Sequence, residues 1–178
     1  MSANHIAESA YGQLNEPATL RIRRELPGPI ERVWSYLVDS DLRRQWLAAG
    51  RLTPQVGTAF ELVWRNDDLS ASVNERPEGF PEESRAICEV TEAQPPRKLR
   101  FLWPDVGDVT FELEPVGDHV VLTVTHRQLP NRGTSVMVGA GWHMHLDILV
   151  ARIAGVDAPS FWRGWARLRE DYERRIPG

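Results

Sequence analysis

Between residues 58 and 128 this chain consists almost entirely of short alternating apolar and polar runs, with helix-forming segments on both sides. Pro29-Ile30-Glu31-Arg32-Val33-Trp34 stands before the runs, and Gly141-Trp142-His143-Met144-His145-Leu146 after them. Period-two alternation turns one side of each strand toward a core and the other toward water. Strands joined by short turns pair antiparallel. A long amphipathic helix that follows such a set has the sheet's apolar face to cover. The pattern therefore predicts an α+β fold in which a curved antiparallel sheet wraps around a long C-terminal helix, leaving a hollow between them.

Leu20, Ile22 and Leu26 share one parity and predict a first strand over about 18–26, ended by Pro27 and Pro29. Ile30, Val33, Trp34, Leu37 and Val38 repeat at helical spacing, and Asp39 or Ser40 can cap a second short helix running through Trp46-Leu47. Residues 65–83 form a long polar connection, a length that in a compact domain marks a mobile or functional loop. The main helix presents Val138, Trp142, Leu146, Leu149 and Ile153 on one face and stops at Gly155. A last helix starts near Pro159 and carries Phe161, Trp165, Leu168 and Tyr172 on one stripe, either to pack back on the domain or to serve a dimer. The reading is β-α-α-β(5)-α plus an extra C-terminal helix. It divides the chain into a flexible N-terminal tail over 1–17, one domain over 18–155 and a helical extension over 156–178 packed on the domain.

The 178 residues suffice for one domain with a real core. A net charge of −4 and an isoelectric point near 5.8 argue against nucleic acid, which wants a basic face. The single cysteine, Cys88, rules out an internal disulfide framework and fits a reducing, cytoplasmic compartment. No apolar run reaches the roughly 18 residues of a membrane span, and no signal-peptide core precedes the domain.

These patterns, in this order over about residues 18–155, resemble the helix-grip fold of the START-like (SRPBCC) superfamily. The closer resemblance is to the bacterial branch similar to the C-terminal domain of the heat-shock protein 90 ATPase activator. The residues that carry it are Pro29 to Trp34, Trp46-Leu47, Val56-Gly57, Pro95-Pro96-Arg97-Lys98-Leu99, Phe111-Glu112-Leu113, Thr123-Val124-Thr125-His126 and Gly141-Trp142 with Leu146 and Leu149. The resemblance implies a hydrophobic-ligand cavity between sheet and helix. It does not choose among lipid carriers, aromatic polyketide cyclases, hormone and alkaloid binders, and chaperone regulators.

Inward parity places Phe60, Leu62, Trp64, Phe101, Trp103, Phe111, Leu122 and Val124 on the concave face. Trp142, Leu146 and Leu149 oppose them from the helix, and Trp46 joins them as a candidate ligand-lining residue. A filled core and a partly hollow one read alike at this level. The polar exceptions are His126, in phase with Leu122 and Val124, and His145, beside Trp142 and Leu149. Two imidazoles can orient an acidic or phenolic ligand, act as acid and base, or sit at the core edge bonded to carbonyls. His143 and Asp147, four apart, read as a solvated flank pair, and Cys88 as a small buried residue. No metal site is expected, since Cys88 and Asp147 are only loose complements to the histidines. No cofactor fingerprint is present.

The leading expectation is a carrier for a small hydrophobic or aromatic molecule, without cofactor, acting as a monomer or weak homodimer with no membrane insertion. The alternatives are a cyclase- or hydrolase-type enzyme using His126 and His145 on an aromatic or polyketide-like substrate, and a chaperone-regulating interaction module.

Overall fold

The protein is described by a computed structural model covering residues 10–16 and 18–178. Seven antiparallel strands form one sheet: β1 (Gln13–Glu16), β2 (Thr19–Pro27), β3 (Ala59–Trp64), β4 (Ser84–Gln94), β5 (Lys98–Trp103), β6 (Gly107–Val116) and β7 (His119–Arg127). Their order is β1-β2-β7-β6-β5-β4-β3, so five consecutive strands meander from one edge until β7 meets β2. Between β2 and β3 the chain crosses the sheet through α1 (Ile30–Val38) and α2 (Ser40–Arg43). After β7 come α3 (Arg132–Ala154) and α4 (Phe161–Arg175). This is the helix-grip arrangement, with α3 held in the concavity of the sheet.

The register shows why the parity reading succeeds. Residues opposite one another in a ladder share a face. Phe60 pairs with Cys88, Val90 with Phe101, Leu99 with Phe111, Phe111 with Val124, and Val124 with Ile22. One continuous apolar surface results, and every one of these side chains is buried.

α3 is longer and more enclosed than a one-faced helix. Asn131 caps its start, its Oδ1 accepting from the Thr134 N–H at 2.8 Å, and Gly155 ends it in the left-handed conformation at φ 70°. Val136, Ala140, Met144 and Ile148 are buried along with the predicted Trp142, Leu146 and Leu149. The sheet covers one side of α3 and α4 covers another, so a helix that is buried nearly all round can be apolar nearly all round. The two helices approach closely at Gly139, where an added Cβ would lie 2.9 Å from the Tyr172 ring.

Three expectations need correction. The first nine residues of the expected tail lie outside the described residues, but Gln13–Glu16 is a strand, pairing Leu14 with Leu20. Nothing in its composition announces it. Backbone pairing to β2 supports it, together with α4, where the Tyr172 hydroxyl accepts from the Gly12 N–H at 2.7 Å. α2 ends at Arg43, short of Trp46-Leu47, although Asp39 caps it as expected through Leu42 N–H at 3.0 Å. The His143–Asp147 pair, 3.4 Å apart, is not a solvated flank. His143 is buried, with Nδ1 3.1 Å from the Tyr172 hydroxyl, because α4 packs over that side of α3.

Candidate functional site

A cavity of about 300 Å³ opens at one end of the grip, where the β3–β5 side of the sheet meets both long helices. Trp64 and Trp103 form its sheet wall, their rings stacked at 5.0 Å and 18°. α3 contributes Val138, Gly141, Trp142 and His145, and α4 contributes Phe161, Trp162 and Trp165. Leu47, Asn66, Phe80 and Pro81 close it from the connecting segments, with Glu82 and Arg85 at its rim.

The connection between β3 and β4 forms the roof and is well anchored. It folds into two short 3₁₀ turns, Asn66–Leu69 and Val73–Glu75. The Trp162 indole donates to the Asp67 carboxylate at 2.9 Å, and the Trp162 backbone N–H donates to Ser70 Oγ at 3.1 Å. Arg76 pairs with Asp67 at 2.6 Å. Phe80 then lies edge-on against Trp162 and Trp165, at 5.4 and 5.1 Å. An aromatic in an otherwise polar loop thus becomes part of an aromatic box.

Of the residues expected to line a ligand, Trp64, Trp103, Trp142 and His145 border this cavity. Trp46, Phe60, Leu62, Phe101, Phe111, Leu122, Val124, His126, Leu146 and Leu149 are instead packed in the core. Phe60 touches Phe101 edge-on at 5.4 Å, Phe101 leans on Phe111 at 5.8 Å, and Phe111 meets Trp142 at 5.7 Å. That chain of rings fills the middle of the grip and confines the hollow to one end. Sequence reasoning missed the α4 aromatics and Phe80. The stripe on α4 was visible, but nothing in it distinguishes a cavity wall from a packing face.

The histidines separate by their hydrogen bonds. His126 is fully buried, and its Nδ1 accepts from the Trp142 indole at 3.1 Å. Its proton therefore sits on Nε2, which donates to the Val106 carbonyl at 3.2 Å. Both nitrogens are engaged, and the ring stacks on Trp103 at 5.7 Å. His126 positions two walls of the cavity without facing into it. His145 donates from Nδ1 to the Trp46 carbonyl at 2.7 Å and tilts against Phe161 at 4.5 Å. Burial pushes both imidazoles down to about 4, so each is neutral at physiological pH.

Cys88 is buried under the sheet, and its thiol is pushed up to about 12 by that burial. Asp147 is held by Arg24 at 3.0 Å. Among the described residues no group of three or more His, Cys, Asp or Glu side chains is placed to hold a metal. Among the described residues no helix is long and apolar enough to cross a membrane. A second, more polar hollow of about 470 Å³ shares Leu47 and is lined by Arg44, Arg65 and Arg152, with Arg65 paired to Glu83 and Arg152 bonded to the Gln45 carbonyl.

Comparison with known proteins bears on these features. The family model described as activator of Hsp90 ATPase homolog 1-like protein matches residues 27–154. A comparison with curated proteins found no match. Among solved structures, a protein of Bordetella parapertussis determined by solution NMR is 36% identical, with a TM-score of 0.76 over 94% of this chain and 91% of that one. The crystal structure of CalU16 from Micromonospora echinospora shares the fold at 24% identity, with a TM-score of 0.66 over 90% of this chain and 89% of that one. The Aha1 dimer from Colwellia psychrerythraea does so at 14% identity, with a TM-score of 0.58 over 76% and 95%.

Proposed function

The chain belongs to the family of activator of Hsp90 ATPase homolog 1-like proteins, and on that footing we propose that it binds a small aromatic or otherwise hydrophobic molecule in the cavity between β3–β5, α3 and α4. The observation that carries this reading is the aromatic box itself. Five tryptophans (Trp64, Trp103, Trp142, Trp162 and Trp165) and two phenylalanines (Phe80 and Phe161) converge on one hollow in a fold whose centre is otherwise filled. Ligand sites are concave and mostly apolar, with a few polar groups that set orientation. At about 300 Å³ the cavity is at the small end of the range of such sites, about 300–1,000 Å³, which favours a compact ring system over a long acyl chain.

The protein would act in the cytoplasm, where the buried Cys88 stays a thiol, and it would need no cofactor to bind. Catalysis by a His126–His145 pair has less to support it, because His126 has neither a lone pair nor a proton to offer a substrate.

Native mass spectrometry with a panel of fused-ring aromatics and long-chain fatty acids tests the reading. One-to-one adducts with the aromatics and none with the fatty acids are expected. Failure of every member of both classes to bind would remove it.

A further inference from the structure

The polar groups in the helical wall of the cavity are one-sided. The three indole N–H donors there are all used inside the protein. Trp142 donates to His126 Nδ1 at 3.1 Å, Trp162 to Asp67 at 2.9 Å, and Trp165 to the Met137 carbonyl at 3.4 Å. On the sheet side, Trp64 and Trp103 are half-buried, where water can serve their N–H groups. Among the polar atoms left unmet within the protein are two acceptors. Asn66, which lines the cavity, has a buried Oδ1 with no partner among the described residues.

The second acceptor is stronger. The Trp46 carbonyl 2.7 Å from His145 Nδ1 can only accept, so Nδ1 carries the ring proton and Nε2 presents a lone pair. Among the described residues nothing donates to that Nε2. The ring is 6% exposed, lines the cavity and is braced by Phe161. An acceptor that opens onto an apolar hollow favours a ligand that brings it a donor.

Resting on the ligand-binding reading above, we infer that the cavity selects an uncharged aromatic molecule bearing a hydroxyl group, whose O–H donates to Nε2 of His145. The tryptophan and phenylalanine walls hold the flat ring, and the hydroxyl is its directional anchor. An ether of the same shape fills the walls but leaves the acceptor unmet. A carboxylate brings its charge against a lone pair. The cation at the rim, Arg85, is already engaged by Glu61 at 3.1 Å and by Glu83.

The inference is tested by calorimetric titration of the full chain with 2-naphthol, 2-methoxynaphthalene and 2-naphthoate at neutral pH. The naphthol is expected to bind about tenfold more tightly than the ether, the worth of one buried hydrogen bond, and the carboxylate most weakly. His145→Asn keeps an N–H for the Trp46 carbonyl and removes the acceptor opposite, so the ratio of naphthol to ether affinity should collapse toward one. The wild-type ratio decides the matter even if that variant folds poorly. Equal affinity for naphthol and ether, or tightest binding of naphthoate, overturns the inference while leaving the aromatic-cavity reading in place. If none of the three binds, the inference falls, and the ligand-binding reading falls with it when the wider panel of aromatics and fatty acids fails as well.

Discussion

The Trp142 indole donates to Nδ1 of His126 across 3.1 Å, tying the middle of α3 to the end of β7 inside the grip. This bond fixes the tautomer of His126, directs its other nitrogen to the Val106 carbonyl and holds Trp142 upright as a cavity wall. Replacing His126 with Leu leaves a buried indole N–H and a partly buried carbonyl without partners. Each orphaned group costs about 1–3 kcal/mol, so a loss of roughly 2–5 kcal/mol is expected in urea denaturation. An unchanged midpoint would mean that the bond contributes nothing.

Arg43 is the second buried polar centre, with 1% of its surface exposed. Its guanidinium donates to the carbonyls of Ala48, Leu37 and Val38 at 3.1, 3.1 and 3.2 Å, and also to that of Gly50. Among the described residues no carboxylate bonds it directly, and burial lowers its pKa to about 10. Arg43→Met preserves most of the length but strips the donors from this knot of carbonyls between α1 and β3. A loss of about 3 kcal/mol or more is expected, read as a large drop in the thermal midpoint.

Stability should fall on acidification, for a reason that resides in three histidines. Burial pushes His126, His143 and His145 each down to about 4 in the folded chain, against an ordinary value near 6.5. Asp147 acts in the opposite direction on His143, and the carbonyls of Val106 and Trp46 do so on the other two. Between those values the unfolded chain binds more protons than the folded one. Stability is therefore complete above about pH 6.5 and is lost as pH falls toward 4, by roughly 2 kcal/mol per histidine at pH 5. Denaturation midpoints that stay level between pH 7 and 5 would contradict this.

Phe80 joins the roof to α4 through edge-on contacts with Trp162 and Trp165. Phe80→Ala removes two aromatic pairs from a half-buried position, so a modest loss of about 1–3 kcal/mol is expected. The more specific sign is optical. With the roof opened, Trp162 and Trp165 gain water, and the tryptophan emission should shift to the red while the far-ultraviolet circular dichroism stays native. Emission unchanged from wild type would place Phe80 outside the box.

The elements most legible in the chain were those with an unbroken period. The runs from Phe60 to His126 alternate cleanly, and the ladder register puts them on the face their parity indicated. α1 coincides with the predicted Ile30–Val38, where the apolar spacing is helical and Pro29 precedes the first turn. β1 was illegible because backbone bonds to β2, rather than a side-chain pattern, make it a strand. His143 was misread because its burial comes from α4, about thirty residues further along the chain.

The candidate site divides in the same way. Local pattern alone determined which side chains face inward, because a pleat or a helical turn sorts residues before any neighbour is present. It could not determine which inward residues meet one another and which meet a hollow, since that depends on volumes brought together from distant segments. Phe60, Phe101, Phe111 and Leu122 close on one another. Trp64, Trp103, Trp142 and His145, of the same parity, do not, because the β3–β4 connection and α4 hold Phe80, Trp162 and Trp165 over them as a roof. The same tertiary contacts separate the two predicted histidines. Trp142 and Val106 take up both nitrogens of His126, while the Trp46 carbonyl engages only one of His145 and leaves the other to the cavity.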